Sequence, residues 1–172
     1  VPTASTTSQL ALGDALAIAS MKYKKFGKLD FKKLHPAGSL GAQLKTVEDI
    51  MIKGNKIPFV SENLKTSKAL NILTEKKLGI LVVRDTKNRT KGIITDGQIR
   101  RVSQKNSNFQ NLLVKEIMTK KPIFIDRNML AAKALALMNN KKITSLLVYN
   151  KKKPFLTIGV IHVHTILQSN IS

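Results

Sequence analysis

The chain of 172 residues holds three histidines, and each has neighbours that could do chemistry. His35 stands in "HPAGSLG", residues 35–41. An unperturbed imidazole titrates at about 6.5, so His35 could take or give a proton near neutral pH. Pro36 restricts the backbone ahead of it, and the same stretch reads as a turn from Pro36 to Gly41. His162 and His164 are two apart in "VIHVHT" and would share one face of a strand. With no nearby carboxylate or further histidine they are too few for a metal centre, so no metal site is expected. Ser5, Thr6 and Thr7 precede an apolar run, where hydroxyls and free amides suit a polar or anionic ligand or cap a helix. Thr95 and Asp96 in "GIITDGQ" put a hydroxyl and a carboxyl where a strand gives way to a helix. Asp96 either caps that helix or touches a ligand. Asp14 sits in "LALGDALA", where a carboxylate among apolar residues is costly unless paired, and a bond to the adjoining turn is expected. There is no cysteine, which excludes a disulfide scaffold, a thiolate nucleophile and a zinc–thiolate site.

The elements that must position these residues show in the periodicity. Residues 8–24 read as a helix with "STTS" as its cap and a broad apolar face, and Gly13 within it predicts close packing against something. "FGKLDF" and "HPAGSLG" interrupt helical character. From residue 45 the chain repeats itself. "TVEDIMIKGNKIPFV" is echoed by "LVKEIMTKKPIFI", "SKALNILTEKKLGILVV" by "AKALALMNNKKITSLLV", and "KGIITDGQIRRV" by "IGVIHVHTILQ". The copies are 67 residues apart at Met51 and Met118, 65 apart through the middle, and 67 apart again at Gly92 and Gly159. A two-residue deletion near the first strand and a two-residue insertion near the hairpin account for the change. Each copy predicts a short strand, an amphipathic helix, a buried strand ("GILVV" or "SLLVY"), a polar turn, another strand and a final short helix, starting at Asp96 or about His164. The middle helices should turn Ala69, Leu70 and Leu73 inward in the first copy, and Ala134, Leu135 and Met138 in the second. Roughly 55 to 60 residues make too small a separate core, so the two units should pack face to face as a pseudo-twofold pair.

Bulk properties narrow the class. Thirty Lys and Arg against ten Asp and Glu give a formal net charge of +20, which would attract nucleic acid or another anionic surface. The positives are mostly lysines spread through "KYKKFGKLDFKK", "TEKK", "NNKK" and "NKKKP". With two Tyr, six Phe and no Trp there is no ladder of aromatics for stacking bases, so a specific nucleic-acid role is not expected. No signal peptide is visible and no apolar run reaches 18 residues, so no membrane insertion is expected and a cytoplasmic location is. The chain opens on Val1, which predicts a fragment or processed product.

The repeat resembles the cystathionine-beta-synthase (CBS) domain, through "V-x-D-I-M", the following helix, the "ILVV" strand and "GIIT", each present twice in register. The resemblance implies an α+β fold: tandem CBS domains at 45–105 and 112–171, a Bateman module, after a helical segment at 1–44. It implies a cleft for adenosyl or other nucleotide ligands, regulation of an attached enzyme or transporter, and dimerisation through helices. The ligand-binding form of the family carries Thr or Ser after "Ghh" and an Asp three positions later for ribose. Thr95 fits the first position, whereas Gln98 stands at the second. In the second copy His162 and Thr165 occupy them. Thr95, Asp96 and His162 are therefore the candidate cleft residues, and the basic side chains around them suit a phosphorylated or acidic ligand.

"PTASTTSQLALGDALAIA" followed by "HPAGSLG" resembles the end of a sugar isomerase (SIS) domain, in the arrangement of the bacterial D-arabinose 5-phosphate isomerases. That family interconverts ribulose 5-phosphate and arabinose 5-phosphate for Kdo synthesis, in lipopolysaccharide or capsule. The resemblance implies that residues 1–44 are an SIS remnant with linker and that His35 is catalytic in the intact isomerase, and Ser5, Thr6 and Thr7 are the candidate substrate-binding residues. It also implies a homotetramer. Ala37 departs from the first Gly of the "HPGG" form, and Ala42 replaces a basic residue often found after "LG". The sheet that should carry the phosphate-binding hydroxyls and the general base is absent from these residues, so this chain by itself is expected to be inactive. No cofactor is required. A nucleotide or nucleotide-sugar, CMP-Kdo or an adenylate, is the expected cleft ligand. The alternatives are an adenine-nucleotide sensor and a structural oligomerisation module that binds nothing.

Overall fold

A computed structural model describes residues 2–27, 30, 34, 43–150, 153–169 and 171. The chain divides into two compact units, Val1–Leu44 and Lys45–Ser172. His35, the Pro36–Gly41 turn, Ala37 and Ala42 lie outside the described residues.

In the first unit, helix α1 (Thr3–Tyr23) starts earlier than the hydroxyl run predicts. Ala and Leu favour helix strongly, and the hydroxyls join it by bonding back to carbonyls three and four residues earlier. Thr7 Oγ1 donates to Thr3 O at 2.9 Å, and Thr6 Oγ1 donates to Pro2 O and Thr3 O at 3.0 and 2.9 Å. The residue before the helix is Pro2, which has no side-chain cap, so "STTS" lies within the helix and is not the cap. None of the residues of α1 is buried. Leu10 is 73% exposed, Asp14 is exposed too and so escapes the cost of burial, and nothing lies within 4 Å of a Cβ placed at Gly13. No described residue of this chain packs against Gly13, and the turn to which a bond from Asp14 is expected lies outside the described residues.

The second unit carries both repeats. The first runs α2 (Val47–Ile50), β1 (Ile52–Lys53), a 3₁₀ turn at Gly54–Lys56, β2 (Phe59–Ser61), α3 (Thr66–Lys76), β3 (Ile80–Arg84), β4 (Thr90–Thr95) and α4 (Asp96–Lys105). The second runs α5 (Val114–Ile117), β5 (Phe124–Asp126), α6 (Ala131–Lys141), β6 (Ser145–Asn150), β7 (Lys153–His162) and α7 (Val163–Leu167). The 3₁₀ turn occurs in the first copy, between β1 and β2, where the spacing shortens. One sheet is ordered β2-β3-β4 and the other β1-β7-β6-β5. In each, the short strand is parallel to the buried strand, which pairs antiparallel with the next. Ala69, Leu73, Ala134 and Met138 are buried, and Leu70 and Leu135 pack at the margins of the cores.

The buried strands are continuously apolar because both faces are covered. Leu81 and Val83 join the core under α3 and α4, and Leu146 and Val148 the core under α6. The alternate residues Ile80, Val82 and Leu147, with Ile57 and Val160, form a third core between the sheets. The two repeats thus share their sheet faces. Thr90 and Thr157, equivalent residues 67 apart, meet hydroxyl to hydroxyl at 2.7 Å, which places the pseudo-dyad between them.

The "V-x-D/E-I-M" motif explains how the halves are tied. Val47 and Val114 are fully buried. The Asp49 carboxylate accepts from the Thr46 backbone N–H at 2.6 Å, and Glu116 accepts from that of Leu113 at 2.6 Å, each holding the start of a short helix. The chain then crosses to the other repeat. Ile52 pairs with Val160 in the second sheet. Thr119 pairs with Ile93 in the first, exchanging N–H···O bonds of 2.8 and 3.0 Å. The methionine of each motif lies over a glycine within the partner strand. A Cβ at Gly92 would sit 2.5 Å from Thr119 O and 2.9 Å from Met118 Sδ, and one at Gly159 would meet Met51 Sδ and sit 3.3 Å from Ile52 O. Glycine is required there for close approach of backbone to backbone.

Alanine at Gly92 or at Gly159 should therefore destabilise the second unit by about 1–3 kcal/mol, the usual cost of overpacking. Urea denaturation reads this as a lower midpoint for both variants, and an unchanged midpoint would contradict the crossing geometry.

Candidate functional site

The two strand-to-helix junctions, β4 into α4 and β7 into α7, open onto one cleft of about 700 Å³. It brings together Thr95, Asp96 and His162, three candidates taken from positions in different repeats. Gly79, with φ at 62°, lets the chain entering β3 pass close to Asp96; a Cβ there would be 2.9 Å from the Asp96 carboxylate. The segment crossing from α5 to β5 supplies Thr119, Lys121 and Ile123. The turn between α6 and β6 supplies Lys142 and Thr144, and the start of β6 supplies Ser145.

Thr95 and His162 are the helix caps. Thr95 Oγ1 accepts from the Gln98 N–H at 3.3 Å. His162 Nδ1 accepts from the His164 N–H at 3.2 Å. The capping role expected for Asp96 belongs to Thr95, the residue before it, because the helix begins at Asp96 itself. Asp96 lines the cleft instead. His162 closes β7 whereas His164 lies in α7, so the pair does not share a strand face, although the rings stand 5.0 Å apart between centroids. Among the described residues no group of three or more His, Cys, Asp or Glu could hold a metal ion.

The cleft is cationic. Arg100, Arg101, Lys121 and Lys142 line it, against Asp96 as the one carboxylate among its described residues. Ile80, Ile93, Ile123, Ile143 and Leu147 provide apolar surface. This arrangement can hold an anion against guanidinium and ammonium groups, a flat ring against the isoleucines, and hydroxyls against Thr95, Thr119, Thr144 and Ser145. Gln98, which stands at the family's ribose-carboxylate position, is turned elsewhere. Its amide donates to Ile117 O at 2.9 Å and its Oε1 accepts from Arg101 at 2.9 Å. Sequence reasoning did not single out Arg100, Arg101, Lys121 or Lys142. Arg100 lies one turn after Asp96 on α4, a spacing that puts both on one face. Lys121 and Lys142 leave no such local signal.

Lys142 holds a left-handed backbone, φ 53°, at the end of α6, and its equivalent Lys77 does the same at the end of α3. Glycine is the usual residue in that conformation. Burial first, and then the charge of His164, hold the His162 imidazole below the usual histidine range. Ser5, Thr6 and Thr7 lie in the first unit, with their hydroxyls bonded to the helix backbone.

A profile of the CBS domain matches residues 47–105 and 114–171. Arabinose 5-phosphate isomerase KdsD of Yersinia pestis is 40% identical over 171 residues, 99% of this chain and 51% of that protein. The chain thus spans about half the length of the curated relatives it matches. Among solved structures, the CBS-domain containing protein ATU1752 from Agrobacterium tumefaciens has a TM-score of 0.67 at 17% identity, covering 75% of this chain and 96% of that one. CBSX2 in complex with AMP has a TM-score of 0.62 at 22% identity, covering 73% and 95%. Both likenesses concern the fold.

The depressed pKa of His162 has a stability consequence. As pH falls below about 6.5 the unfolded chain takes up a proton that the folded chain refuses, so stability falls until the folded imidazole also titrates. Urea midpoints should drop between pH 7.5 and 5.5, and His162→Asn, which keeps a cap acceptor, should reduce that drop. An equal drop in the variant would contradict the assignment.

Proposed function

The chain belongs to the CBS domain family, and from that premise we propose that it is the regulatory CBS pair of an arabinose 5-phosphate isomerase, sensing an anionic metabolite of the nucleotide or nucleotide-sugar class. The observation that carries the ligand reading is the cleft itself, where four cations face one carboxylate over apolar surface. Phosphate or carboxylate groups go to Arg100, Arg101, Lys121 and Lys142, and Arg suits them by its planar fork of donors. The base lies on the isoleucines, and sugar hydroxyls meet the Thr and Ser side chains. With Gln98 engaged at Ile117, the recognition of a ribose diol by a carboxylate has no support at that position, for CMP-Kdo and for an adenylate alike. AMP in the CBSX2 structure supports the nucleotide class as a whole.

The identity to KdsD over nearly the whole chain supports the isomerase assignment. On this reading α1 and "HPAGSLG" close the catalytic domain, with Ser5, Thr6 and Thr7 at the sugar phosphate and His35 in proton transfer. The intact enzyme interconverts ribulose 5-phosphate and arabinose 5-phosphate as a cytoplasmic homotetramer, assembled in part through CBS helices. A ligand in the cleft touches both repeats and the segment that crosses between them, so it favours one arrangement of the pair over another.

Calorimetric titration with CMP-Kdo, AMP and ATP tests the ligand reading. The double variant R100A/R101A should bind at least about tenfold more weakly, since each lost charge-assisted bond is worth about 1.5–3 kcal/mol. K142G and K77G should each gain about 1 kcal/mol of stability by relieving the left-handed backbone, and K142G alone should weaken binding. Flat titrations with all three ligands would instead make the pair a structural module.

A further inference from the structure

The two walls of the cleft carry different chemistry on equivalent backbone. Where the first has Thr95, Asp96 and Gly97, the second has His162, Val163 and His164. Histidine is the side chain whose ordinary titration falls between pH 5 and 8. His162 caps α7 through Nδ1, which accepts from the His164 N–H. A neutral imidazole with its proton on Nε2 can accept in this way, and an imidazolium, a donor at both nitrogens, cannot. The cap therefore favours the neutral ring.

Burial and the charge of His164 act in the same direction. His164 stands beside it on α7. Across the cleft, α4 brings Asp96, Arg100 and Arg101, the crossing segment brings Lys121, and the end of α6 brings Lys142. From β6 the residue opposite is Ser145, which is uncharged, and β1 ends with Lys53 opposite Gly159, three residues away along β7. Asp96 is the one carboxylate among these described groups, and the four cations would draw an anion into the cleft that His162 lines. An anion seated there adds negative charge to the cleft that His162 lines and favours the protonated ring.

We propose that anion binding in this cleft is proton-linked, with His162, next to His164, taking a proton from solvent as the anion settles. The inference rests on the reading of the cleft as an anion site. The proton enters at Nδ1, the His164 N–H gives up its acceptor, and the ring N–H groups become donors toward the anion. Affinity therefore rises as pH falls, and the cleft responds to ligand concentration and to pH together.

The test is calorimetry of the full chain with CMP-Kdo and with ADP-ribose, whose phosphodiester and carboxylate groups keep a fixed charge between pH 6 and 8. One linked proton gives an affinity about five- to tenfold higher at pH 6.0 than at 7.5. At pH 6.5, titrations in buffers of different ionisation heat should then show a net uptake approaching one proton. H162N keeps an acceptor for the His164 N–H and should flatten the pH profile. Equal affinity at both pH values without proton uptake would overturn the linkage and leave the anion site standing, as would a full pH slope in H162N. No binding of either probe at any pH would overturn the anion site, and the linkage with it.

Discussion

The second unit depends on a reciprocal crossing. Each repeat sends the residues after its "D/E-I-M" into the other repeat's sheet, and each crossing segment lies against a glycine that has no room for a Cβ. Ile52 on Val160 and Thr119 on Ile93 are equivalent pairs, so one constraint is satisfied twice. Neither repeat completes its own sheet surroundings. The core between the sheets, with Ile80, Val82, Leu147 and Val160, is buried when both are present. A crossing segment also lines the cleft, through Thr119, Lys121 and Ile123, so the tie between the halves and the wall of the site are one stretch of chain.

Backbone symmetry and chemical asymmetry coexist because different atoms specify them. The left-handed helix ends at Lys77 and Lys142, the register shifts after Val83 and Val148, and the touching pair Thr90 and Thr157 are common to both repeats. These features fix where the chain goes. The residues that face the cleft follow no such rule: Arg100 is matched by Leu167, Gly79 by Thr144, and Ile80 by Ser145. A duplicated fold thus offers two equivalent walls that can diverge in charge without disturbing the packing behind them. Here one wall carries guanidinium groups and the other imidazoles.

The repeat, the order of elements and the inward residues of α3 and α6 were legible because burial leaves a period in the sequence. The junctions carrying Thr95, Asp96 and His162 were legible because they recur at fixed distance from a glycine. What was not legible is convergence. Lys121 and Lys142 are surface-type residues in lysine-rich stretches, and only the crossing and the turn before β6 bring them to the cleft. The choice of Thr95 over Asp96 as cap depends on where the helix begins, to within one residue, which periodicity does not resolve. The apolar face of α1 was legible in the sequence, but what covers it was not, and α1 is exposed along its length within this chain.

The central claim is that an anionic ligand is held between the two repeats, at the end of the sheets where both strand-to-helix junctions meet. Hydrogen–deuterium exchange of the full chain with and without saturating CMP-Kdo tests it most directly. The account predicts slowed exchange in four separated stretches together, residues 93–98, 119–123, 142–147 and 160–165, with α1 unchanged. Protection confined to one repeat, or none in any of the four stretches, would contradict it.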